Sequence, residues 1–122
     1  MKSLPTWRGK SEFSYSGTVK DGTLIQYGSG HLIQVSASQY SELLNFFKGR
    51  EVNMGTSMDA APLGSVGKWL QQNVTRTAIA SYVGPILLSE GYAVRGSTVS
   101  KIRFNVPEVP DGKKRSVADP DG

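Results

Sequence analysis

Apolar and polar positions alternate from residue 12 to residue 35, and this period of two predicts β-strands. Phe13 and Tyr15 stand between Ser14 and Ser16; Leu24–Tyr27 and His31–Val35 continue the β-like text. Lys20-Asp21-Gly22-Thr23 holds an Asp-Gly pair, a two-residue hairpin signal because both central positions take positive φ. Gly28-Ser29-Gly30 marks a second turn. The segment 12–35 therefore reads as an antiparallel meander of three strands. Such a meander is only marginally stable alone and must pack on the rest of the chain.

The period changes at Ser36. Ser36 and Gln39 have the spacing of a capping box, and Val35 and Tyr40 stand at the staple positions around it. Tyr40, Leu43, Leu44 and Phe47 then fall on one helical face, and Gly49 stops the helix. Residues 50–55 read as a short strand with Val52 and Met54 on one side, and 56–64 as a loop containing Pro62.

Helical spacing returns at Val66, Trp69, Leu70 and Val74, with Ser65 placed to cap the first turn. Asn73 and Val74 make a break. Thr75 is placed to cap a longer helix whose apolar face is Ile79, Val83, Ile86 and Leu87, with Tyr82 beside it. Pro85, after Gly84, removes a backbone donor inside this helix and predicts a kink or a division in two. Gly91 stands where a helix end needs positive φ. Two β-rich runs, 92–95 and 100–105, come next around a Gly-Ser-Thr tip. Residues 1–11 lack a period and read as a loose arm from which Trp7 tucks onto the core. Residues 107–122 are rich in Pro, Gly and charge and read as a mobile tail, so the expected domain is 1–106.

From Ser36 onward the predicted order is helix, strand, helix, helix, strand, strand. Over 36–105 this order is similar to the winged helix-turn-helix family of DNA-binding proteins. The segment 75–92, with Thr-Arg-Thr at its start and Glu-Gly-Tyr at its end, resembles the recognition helix of that family and its exit into the wing. The resemblance implies an α+β fold, an N-terminal antiparallel β-meander followed by a winged helix-turn-helix. It implies a duplex DNA partner, with Thr75, Arg76, Thr77, Ala80 and Ser81 as the face that reads base edges. Arg76 is the long donor of that face, suited to guanine edges. Ala80, Ser81 and Gly84 are small enough for close approach of DNA or of another helix. Arg95, Lys101 and Arg103 would flank the wing and meet phosphates or the minor groove.

Charge supports a polyanionic partner. The 122 residues carry a net +4, and the excess lies before the tail. Residues 107–122 hold Lys113, Lys114 and Arg115 against four acidic side chains, for a net −1. From Lys68 to Arg103 five cations face Glu90 alone. A basic stretch of this kind is the footprint of a phosphate-binding surface, and equally that of an ordinary solvated face.

Enzyme chemistry is not indicated. The chain has no cysteine, which removes disulfides, thiolate catalysis and cysteine-type zinc sites. His31 is its one histidine, beside a turn, and the carboxylates before the tail form no metal-ligand spacing. Gly28-Ser29-Gly30 lacks the following Lys-Ser/Thr of a phosphate loop. No cofactor and no metal are expected. The absence of a long apolar run or secretory leader points to a cytoplasmic protein without membrane contact. The expected function is a DNA-binding transcriptional regulator or mobile-element accessory protein. The alternative is a protein-interaction module on the same scaffold, with the edge strands of the meander covered in a homodimer.

Overall fold

The computed structural model describes residues 1–106, and the segment 107–122, expected as a tail, lies outside the described residues. The chain is α+β. It begins with an antiparallel sheet of four strands in the order β1-β2-β3-β4: Lys2–Pro5, Glu12–Thr18, Gly22–Tyr27 and His31–Ser36. Helix α1 (Ala37–Phe47) and strand β5 (Glu51–Asn53) come next. Helices α2 (Val66–Asn73) and α3 (Ala80–Ser89) lead to a hairpin of β6 (Ala93–Arg95) and β7 (Lys101–Phe104). The hairpin and β5 form a second antiparallel sheet in the order β5-β7-β6.

The first sheet is larger than the alternation predicted. Residues 1–11 are not a loose arm: Lys2 to Pro5 pair with Tyr15 to Glu12 and add a fourth strand. A four-residue strand is too short to show a period, and its partner supplies the pairing. The first hairpin also differs. Its loop is Val19, Lys20 and Asp21, and Gly22 (φ 100°) already belongs to β3. The reason is tertiary. Val19 is buried, and its N–H donates to Glu90 Oε1 at 2.9 Å, so the loop is drawn in by the end of α3.

Helix α1 begins as its residues dictate. The Ser36 hydroxyl accepts from Gln39 N–H, Gln39 Oε1 accepts from Ser36 N–H, and Tyr40, Leu43 and Phe47 are buried. Ser65 caps α2 by accepting from Lys68 N–H. Helix α3 closes on Gly91 (φ 83°), with Tyr92 N–H donating to the Leu87 carbonyl and Gly91 N–H to that of Leu88.

One cluster of buried side chains joins all the layers. Phe13, Tyr15, Ile25 and Val35 come from the first sheet, Leu43 and Phe47 from α1, and Val83, Ile86 and Leu87 from α3. Ile102 and Phe104 come from the second sheet, where Phe104 stacks on Phe47 with ring centroids 5.2 Å apart. Trp69 is only partly buried and packs on the exposed ring of Phe46 at 6.5 Å. Among the described residues no helix is long and apolar enough to cross a membrane.

Candidate functional site

The start of α3 departs from its expected place, and this shift shapes the site. Thr75 does not cap the helix. Thr77 N–H donates to Thr75 Oγ1 at 3.4 Å, a local turn that competes with helix formation. The helix begins at Ala80 with Ile79 in the cap position and no side-chain cap bond. Thr75, Arg76 and Thr77 thus lie in the connection between α2 and α3. Arg76 is exposed there, and Thr75 and Thr77 are partly covered. Ala80 has no exposed surface, which removes it from any reading face.

Helix α3 runs through Pro85 without division. Proline leaves the carbonyl four residues back, that of Ser81, without its helical donor. The backbone N–H of Trp7 donates to that carbonyl at 2.9 Å. Gly84 makes room for the indole: a Cβ there would lie 2.6 Å from Trp7 Cε3 and 3.0 Å from Met54 Sδ. Gly84 and Pro85 together form a socket for Trp7, which is 3% exposed. The close approach expected at Ser81 and Gly84 is made by the N-terminal segment of the same chain.

Trp7 in turn holds the β6–β7 hairpin. Its indole Nε1 donates to the Val99 carbonyl at 3.0 Å. Arg95 Nη2 donates to the Trp7 carbonyl at 3.0 Å, and the Arg95 guanidinium lies over the indole, 4.2 Å from its centroid. Arg95 stands opposite the buried Ile102 and so faces inward. Lys101 and Arg103 alternate with Ile102 and Phe104 and lie on the other face. Glu51 stands opposite Arg103, and its carboxylate accepts from both the backbone N–H and the hydroxyl of Ser97 at the hairpin tip. These bonds hold the Glu51 carboxyl below its ordinary range, with Lys101 and Arg103 adding to the effect.

Between the N-terminal loop, the β5–α2 loop and the hairpin lies a cleft of about 780 Å³. Arg8, Lys10 and Arg95 line it, with Asn53, Ser57 and Ser100 as polar partners and Ala60, Pro62 and Val99 as apolar ones. No acidic side chain among the described residues lines it. Among the described residues none of the three cations has a carboxylate within salt-bridge distance, and the ion pair found there joins Lys2 to Glu90 at 4.0 Å. Unpaired cations in a concave site without carboxylates give that site a positive potential. Among the described residues no three His, Asp or Glu side chains gather as a metal site requires.

Of the eight residues expected to contact DNA, Arg95 alone lines this cleft. Arg76, Lys101 and Arg103 remain surface cations elsewhere. Sequence reasoning missed Arg8 and Lys10. Their signal was Trp7-Arg8-Gly9-Lys10, two cations flanking a glycine directly after an aromatic, and Gly9 does adopt φ 75° in the loop. Comparison with protein-family models, with curated proteins and with solved structures finds no match for this chain.

Proposed function

We propose that this protein binds duplex DNA on a winged helix-turn-helix scaffold, gripping phosphates with its hairpin and N-terminal loop. The observation that carries the reading is the convergence of Arg8, Lys10 and Arg95 on one cleft that no described carboxylate lines. The scaffold reading draws support from the order helix, strand, helix, helix, strand, strand after Ser36, from the strand order β5-β7-β6, and from the contact between α3 and β6. In this reading the hairpin is the wing. Helix α3 is a support and not a probe, because its first turn is covered by Trp7. Regulation of transcription, or an accessory role in a mobile element, are the contexts such binding fits. The test is a titration of binding to random duplex DNA against salt. Counterion release at three phosphates gives a slope of roughly −3 in log affinity against log salt. Absence of binding at low salt, or an affinity indifferent to salt, overturns the proposal.

The outer face of the first sheet favours a second reading as a docking module. Leu24 and Leu32 stand exposed among Ser14, Ser16, Gln26 and Gln34, a face on which Glu12 is the one charged strand residue. Sedimentation at rising protein concentration tests self-association through it.

A further inference from the structure

A duplex presents its phosphates on convex ridges, with its bases stacked inside. The cleft is concave, and one wall is apolar: phosphates alone would leave Ala60, Pro62 and Val99 against water. A volume of about 780 Å³ lies within the range of sites that enclose a small organic ligand. Its cations and its apolar wall together match the two halves of a nucleotide. We infer that the cleft receives one unpaired nucleotide of a DNA strand, at a single-stranded extension from a duplex end; this rests on the DNA-binding reading above.

Arg95 is the platform for the base. Its guanidinium is already fixed, lying over Trp7 and bonded to the Trp7 carbonyl. It is nonetheless exposed and lines the cleft, so a planar partner can reach it. A delocalised guanidinium stacks on a nucleobase as well as on an indole, and one already held in place loses little freedom when it does so. Trp7 also borders the cleft, but it is almost fully buried and the Arg95 guanidinium lies over its ring, so the plane offered to a ligand is that of Arg95. Arg8 and Lys10, exposed on the facing loop, meet the phosphates on either side of the base. Asn53, Ser57 and Ser100 carry polar groups that any base edge can use, so the site recognises an unstacked nucleotide and not a sequence.

The experiment compares three labelled DNA hairpins by fluorescence anisotropy with the full chain at one salt concentration. One hairpin is blunt, one carries a three-nucleotide single-stranded extension, and one carries that extension with abasic residues. The extension is expected to tighten binding about tenfold over the blunt end, and the abasic extension to lose most of that gain. Arg95→Lys keeps the charge and removes the plane. With its melting temperature checked, it should bind blunt and extended hairpins alike. If the parent protein binds blunt and extended hairpins equally, or the abasic extension as well as the intact one, the cleft holds no base and the inference fails while duplex binding stands. Binding to none of the three at low salt overturns both readings.

Discussion

The backbone N–H of Trp7 donates to the carbonyl of Ser81 at 2.9 Å, and that carbonyl is free because Pro85 has no N–H to give it. A residue that looked like a flaw in a helix is thus one half of a receptor for the N-terminal segment. The other half is Gly84, whose missing side chain is filled by the indole. Through Trp7 the first sheet, α3 and the hairpin share one anchor, and the three cations of the cleft are arranged around it.

Gly84→Ala should destabilise the protein. In an exposed helix this change gains about 1 kcal/mol of helix propensity. Here the new methyl meets a ring wedged between α3 and Arg95, and overpacking of this kind costs about 1–3 kcal/mol. Chemical denaturation gives the sign. A more stable variant would show that the indole has room to move.

Pro85→Ala should gain much less than the roughly 3 kcal/mol that removing an interior proline can give. The Ser81 carbonyl already has a partner, and the buried ring of Pro85 leaves a small void when removed. A change within about 1 kcal/mol is expected by denaturant titration, because the two effects oppose. A gain near the full value would mean that Trp7 contributes nothing through Ser81.

Trp7→Ala should cost about 3–5 kcal/mol, the usual loss for a buried aromatic ring. Trp69→Ala should cost less, since Trp69 is only partly covered. The two melting curves decide between an anchored N-terminal segment and a dispensable arm.

Replacing Arg8 and Lys10 together by Ala should lower the salt slope of DNA binding by about 2, one for each lost phosphate contact. Lys101→Ala should leave it closer to the parent, because Lys101 does not line the cleft. Equal effects from both variants would place the binding surface on the other face of the hairpin.

Stability should fall as pH rises above about 10, the ordinary tyrosine value. Burial, and then the bond from its hydroxyl to Glu90 Oε2 at 2.8 Å, push the Tyr15 phenol up to about 12. Burial also raises Tyr40, whose hydroxyl pairs with Thr23 at 2.6 Å. A pKa raised in the folded state means that stability is whole below the unfolded value and is lost as pH climbs through the folded one. Tyr15→Phe should cost about 2 kcal/mol at neutral pH, the worth of a hydrogen bond to a charged acceptor, and should flatten the alkaline decline. Melting curves between pH 8 and 11 test both statements.

The local chemistry of the chain settled much of the fold. Capping boxes and glycine stops are contacts over three to five residues, so Ser36, Gln39, Ser65 and Gly91 announced the ends of their helices. Alternation around Phe13 and Tyr15 announced the inner face of the first sheet, and the order of elements after Ser36 is as the periods predict. What local pattern could not express was any contact across the chain. Strand β1 exists because β2 offers it a partner. Helix α3 starts at Ala80 and not at Thr75 because a side-chain turn wins over a cap and the chain enters the core first. Gly84 and Pro85 acquire their meaning from a tryptophan 77 and 78 residues away. The site was legible as a positive excess and as Arg95, but its other two cations lay in a segment without a period. Only packing brings that segment to the hairpin, because charge is written along the sequence while a concave surface is made by elements that meet.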